Sequence, residues 1–271
     1  MSHPNQVVVS GGFHDLKARD LRWLEEAARL GELTVLLWPD DLIERTTGRL
    51  PKFPFAERSY FLTAVRYVAR VVPAEVAEVD GLPPELRPKI WADAEATANA
   101  ARRNFAAANG IQYRVFSDAE LAGFPAPPPM PSAPGNKKVV ATGCYDWFHS
   151  GHVRFAEEAS AYGDLYICLG SDANVRLLKG EGHPLLSQEE RRYVVGSIKH
   201  VKQALITTGS GWVDADPEIR RLKPDYYVVN EDGDKGGKRE YCEKMGIEYV
   251  VLQRTPAPGL QRRSSTDLRG F

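Results

Sequence analysis

The chain has 271 residues, 43% of them hydrophobic and 26% charged, with a formal net charge of −1. That composition is typical of one large or two ordinary globular domains and excludes a broadly basic surface for nucleic acid or anionic membrane. Cys144, Cys168 and Cys242 form no CxxC pair or zinc pattern, and no leader or membrane-length apolar run is evident. We therefore expect reduced thiols and a cytoplasmic protein with neither nucleic-acid nor membrane partners.

The elements come in a regular order. Gln6-Val7-Val8-Val9-Ser10 has a buried-strand pattern, and residues 20–30 read as a helix ended by Gly31. A strand at 33–37 and a helix at 57–68 follow. Next come a strand around 87–92, a helix over 93–109 closed by Gly110, and a strand at 112–116. Residues 123–136 contain Pro125, Pro127, Pro128, Pro129, Pro131 and Pro134. Proline has no donor and a fixed φ, so this stretch predicts a semi-extended connection rather than packed structure. Two lobes joined by a linker result: a first lobe at 1–122, the linker at 123–136 and a second lobe at 137–271.

The second lobe repeats the first. Gly11-Gly12-Phe13 matches Gly143-Cys144-Tyr145 at an offset of 132, and Leu21 to Ala27 matches Val153 to Ala159 at the same offset. Glu57-Arg58-Ser59-Tyr60 matches Glu190-Arg191-Arg192-Tyr193, and Leu86-Arg87-Pro88 matches Leu222-Lys223-Pro224. Two copies of one unit with alternating strands and helices imply an α/β protein of two tandem Rossmann-like, doubly wound parallel-sheet lobes.

The copies diverge at one turn. After the apolar run Lys138 to Thr142 comes Gly143-Cys144-Tyr145-Asp146-Trp147-Phe148-His149-Ser150-Gly151-His152, then a helical pattern. A helix start offers free N–H groups and the positive end of the helix dipole, which favour an anion. Gly151 permits close approach, and two imidazoles there can hold phosphate oxygens. The first copy has Lys17-Ala18-Arg19-Asp20 at the corresponding place and lacks both histidines and the glycine.

His149-Ser150-Gly151-His152 in this setting resembles the HxGH signature of the cytidylyltransferase-like nucleotidyltransferases. The resemblance covers roughly residues 137–269. It implies transfer of a nucleotidyl group from an NTP to a small phosphorylated alcohol or sugar, with pyrophosphate released. CMP transfer from CTP is favoured; the alternatives are ATP with a sugar phosphate, or a nucleotide-binding regulator without turnover. His149, His152 and Lys179 are the implied catalytic residues. Gly143, Cys144, Tyr145, Asp146, Phe148, Gly151, Arg191, Asn230, Asp232, Arg254, Arg263, Ser264, Ser265 and Thr266 are the implied nucleotide contacts. Mg²⁺ on the phosphates is the implied cofactor, with no metal ligands assigned to the protein, and no residue needs to become a covalent nucleophile. The resemblance also implies a pseudo-symmetric pairing of the lobes within the chain, with a homodimer as a further option. The closing signature departs from the family: Pro256 to Arg263 lengthens the loop between Arg254-Thr255 and Ser264-Ser265-Thr266 and makes it more basic. A dinucleotide-dependent oxidoreductase of similar layout is disfavoured, because no GxGxxG follows any strand.

Overall fold

The computed structural model describes residues 5–74, 81–83 and 85–263. The chain divides into two compact units, Met1–Gly123 and Phe124–Phe271. In the first unit the order is β1 (Gln6–Gly11), α1 (Ala18–Ala28), β2 (Glu32–Leu37), α2 (Asp40–Thr47), α3 (Phe55–Thr63), β3 (Arg70–Pro73), β4 (Ile90–Ala94), α4 (Ala100–Ala108) and β5 (Gln112–Phe116). In the second it is β6 (Lys138–Gly143), α5 (Ser150–Ser160), β7 (Asp164–Leu169), α6 (Asp172–Lys179), α7 (Gln188–Gly196), β8 (Gln203–Ile206), α8 (Asp216–Leu222), β9 (Tyr226–Asn230), a 3₁₀ turn (Glu231–Gly233), α9 (Lys238–Met245) and β10 (Glu248–Leu252).

Each unit holds one five-stranded sheet, ordered β3-β2-β1-β4-β5 in the first and β10-β9-β6-β7-β8 in the second. Every pairing in both is parallel. The duplication extends to the register: Gln6 pairs with Glu32 and Lys138 with Asp164, while Val8 pairs with Trp91 and Val140 with Tyr227. The central strands β1 and β6 carry apolar runs, as expected where helices cover both faces of a parallel sheet. Val7, Val8 and Val9 are buried, as are Val139, Val140 and Ala141 at the same places in the second copy. Strand order reverses beside β6, so a crevice opens beyond the C-terminal ends of β6 and β9, where doubly wound sheets bind ligands.

Three expectations need correction. The helix read over 93–109 begins only at Ala100, where the Asn99 side chain accepts the Arg102 N–H as an N-cap. Asp93 instead lies within β4, fully buried, with Arg102 2.9 Å away and the Tyr113 hydroxyl at 2.6 Å. Strand β3 was not foreseen, since its four residues carry little pattern of their own. The proline-rich segment is not a bare tether: it lies against the second unit, with the Met130 N–H donating to the Lys202 carbonyl at 2.9 Å.

Candidate active site

Strand β6 delivers the chain into a tight turn at Gly143. Tyr145 takes a left-handed φ of 54°, as Phe13 does at 45° in the first unit. Only an over-determined turn holds a bulky residue there. The Tyr145 ring folds back over Gly143, where a Cβ would lie 2.7 Å from Tyr145 Cε2, so Gly143 is required for packing.

Helix α5 begins at Ser150 with His149 as its N-cap. The Gly151 N–H donates to His149 Nδ1 at 3.1 Å, and the His149 N–H donates to His152 Nδ1 at 3.3 Å. A backbone N–H can only donate, so both Nδ1 atoms are acceptors, and each neutral ring carries its proton on Nε2. The two rings lie 4.1 Å apart between centroids, and Phe148 stacks on His152 at 5.2 Å. Burial first, then electrostatic coupling to its neighbour His149 and the charges of Arg254 and Lys179, hold His152 well below the ordinary imidazole range. The turn therefore places two neutral Nε2–H groups at the positive end of a helix, with His149 Nε2 buried. Gly151 makes this possible, since a Cβ there would sit 2.9 Å from His149 Cε1.

Beside the start of α5 lies a narrow cleft. Ser150 and Gly151, Asn230 from the end of β9, and Arg254, Thr255, Arg262 and Arg263 line it. Four of the expected contacts, Gly151, Asn230, Arg254 and Arg263, thus meet in one place. Asn230 Oδ1 is buried and has no hydrogen-bond partner among the described residues. Arg254 pairs with Asp232 and donates to the Arg263 carbonyl at 2.9 Å, which ties the β9 loop to the closing loop. Lys179, the last residue of α6, is exposed and does not line the cleft, although its charge reaches His152. Ser264, Ser265 and Thr266 lie outside the described residues. Ser150 and Arg262 were not foreseen as site residues. Arg262 stands in the basic run that lengthens the closing loop, which was a usable signal; Ser150 differs from its neighbours only by position.

Two residues expected to touch nucleotide are turned to the protein instead. Arg191 is 0% exposed. Its guanidinium donates to the carbonyls of Leu186 at 3.1 Å, Cys144 at 2.7 Å and Gly170 at 2.8 Å, and to the Asp172 carboxylate at 2.8 Å. A guanidinium with so many fixed acceptors is a positioning group. The first unit supports this reading: Arg58 makes the equivalent bonds to Phe53, Gly12, Trp38 and Asp40 although that unit lacks the histidine turn. Asp146 is likewise committed. Its carboxylate accepts the N–H groups of Leu185 at 2.6 Å and Leu186 at 3.1 Å, and His183 Nδ1 lies 3.2 Å away. It anchors the loop between α6 and α7.

The same end of the first unit is closed. Asp20 Oδ2 accepts the Lys17 N–H at 2.8 Å, so a carboxylate sits where His152 sits in the second copy. Burial raises the Asp20 carboxyl from its ordinary value. Trp38 stands where the second copy has Gly170, and its Nε1–H donates to Ser10 Oγ at 2.9 Å, across the end of β1. Arg102 lies over both Trp38 and Trp91.

Among the described residues no three His, Cys, Asp or Glu side chains are grouped to hold a metal ion.

Comparison with known proteins agrees with this geometry. A family profile described as Cytidylyltransferase-like matches residues 140–271. An FAD synthase of Ferroglobus placidus is 38% identical over 120 residues, which is 43% of this chain and 75% of that protein. The Bifunctional protein HldE of Aliarcobacter butzleri is 37% identical over 120 residues, 44% of this chain and 24% of that protein. The chain thus spans about a quarter of the length of that relative. A lipopolysaccharide core biosynthesis protein from Thermoplasma volcanium has 21% identity and a TM-score of 0.38, over 45% of this chain and 99% of that one.

Proposed function

The chain belongs to the cytidylyltransferase-like family of nucleotidyltransferases, and we propose that its second unit transfers a nucleotidyl group from an NTP to a small phosphorylated alcohol or sugar. An oxygen of the acceptor phosphate attacks the α-phosphorus, the bond from that phosphorus to the bridging oxygen of the β-phosphate breaks, and pyrophosphate leaves. Nothing covalent is asked of the protein. The rate comes from orientation and from donors aimed at the oxygens where charge builds.

The observation that carries this reading is the pair of Nδ1-capped imidazoles at the start of α5. Neutral Nε2–H groups stabilise developing phosphoryl charge without taking the proton of any reactant. Arg254, Arg262 and Arg263 around the cleft supply positive charge for the triphosphate. Lys179, exposed at the end of α6, is assigned to the leaving phosphates. A Mg²⁺ ion would arrive on the triphosphate oxygens, keeping several waters, and would neutralise phosphate charge there.

CTP and ATP both suit this site. The resemblance to cytidylyltransferases favours CTP, and the likeness to an FAD synthase favours ATP, because FAD contains an adenylyl group. The test is pyrophosphate release from each of the four NTPs with a panel of phosphorylated alcohols and sugars, with products weighed by mass spectrometry. An acceptor carrying one added nucleotidyl group supports the proposal. Tight NTP binding with no product from any acceptor would favour the regulator.

A further inference from the structure

The proline-rich segment is seated on the helix that holds the phosphate turn. The Phe124 ring packs on Tyr193 of α7 at 5.9 Å. Pro127 sits over Gly196, the last residue of α7, where a Cβ would lie 3.0 Å from Pro127 Cγ. The Met130 N–H bonds to the Lys202 carbonyl, and the Lys202 ammonium bonds back to the Met130 carbonyl. Gly196 closes α7 without the positive φ that usually selects glycine at a helix end, so its presence needs another reason. Here the reason is the groove that admits the proline ring. The first copy has Thr63 at the corresponding place, and that side chain is exposed.

Tyr193 and Gly196 share α7 with Arg191, whose guanidinium holds the Cys144 and Gly170 carbonyls. We propose that residues 124–131 are a positioning strap: they fix α7 and, through Arg191, the turn that carries His149 and His152. Prolines suit this, because a chain already extended loses little freedom on seating. The catalytic part of the idea rests on the nucleotidyltransferase reading; the structural part does not.

The test uses the full chain and two variants. Gly196→Leu fills the groove, and Phe124→Ala removes a strap contact without altering α7, so one variant remains if the other misfolds. Hydrogen exchange reads the strap at the Met130 amide and the turn at the His149 and Gly151 amides. In the wild type the Met130 amide should exchange at least about tenfold more slowly than an unstructured peptide. In both variants that protection should be lost, and the two turn amides should exchange about tenfold faster. The kcat should fall about tenfold with the KM for NTP within about twofold, since displaced donors act on the transition state. An unprotected Met130 amide in the wild type would overturn the proposal. So would variants that free the strap and leave the turn amides and kcat unchanged. If the wild type shows no turnover, the exchange data decide about the strap alone, and the failure belongs to the functional reading.

Discussion

Gly151→Ala perturbs the histidine turn directly. The residue lies in the first turn of α5, where alanine is favoured over glycine by up to about 1 kcal/mol. The new methyl would lie 2.9 Å from His149 Cε1 and 3.0 Å from its Nδ1. Neither distance is tolerated, and His149, 2% exposed, has no solvent to swing into. Its ring can retreat only by pressing on His152, whose centroid is 4.1 Å away and which is itself stacked on Phe148. On the other side stands the Arg263 carbonyl, 3.6 Å from the methyl. The expected result is a melting temperature lower by a few degrees, because helix propensity offsets only part of the clash. The kcat should fall by roughly tenfold or more, since a displacement of a few tenths of an ångström is less than the ~1 Å misplacement that costs about 100-fold. Thermal melting and pyrophosphate-release kinetics on the same preparation check both halves. A variant with wild-type kcat would refute the claim that the two capped imidazoles act on the phosphates.

Arg191→Met should cost about 3–5 kcal/mol, because it strands a carboxylate and three carbonyls, and should abolish NTP binding; Arg58→Met should be similarly destabilising yet leave NTP affinity unchanged, as denaturant melts and titration can show. Burial and nearby cations depress His152, so the unfolded chain takes up a proton below the ordinary imidazole value near 6.5 while the folded chain does not. Stability from this group is full above that pH and falls as pH drops toward the folded value, by up to about 1.4 kcal/mol per pH unit, and the slope should disappear in His152→Asn. Calorimetry should find one NTP per chain, because Asp20 fills the helix start of the first unit and Trp38 stands across its strand ends; a stoichiometry of two would contradict that.

The duplication, the parallel sheets and the position of the histidine turn were legible because they rest on local signals: apolar runs, glycine stops and offsets that drift only from 132 to 136. What escaped reading depends on contacts far apart in sequence. Arg191 looks like any basic residue on a helix, and only the carbonyls of Cys144 and Gly170, brought to it by two other loops, show its role. Asp93 opened a run with helix-forming composition, yet its burial beside Arg102 and Tyr113 pulls it into β4. The Tyr113 hydroxyl, pushed up to about 12 by burial and by Asp93, belongs to the same buried group. The seating of the linker turns on a glycine, Gly196, whose meaning appears only once Pro127 lies over it.

The most direct test of the central claim is single-turnover pyrophosphate release by the wild type, His149→Ala and His152→Ala with NTP and phosphorylated acceptor. The account predicts release by the wild type and a rate lower by roughly 100- to 1,000-fold in each folded variant. A variant within a few-fold of the wild type, or a wild type that releases pyrophosphate from none of the four NTPs, would contradict it.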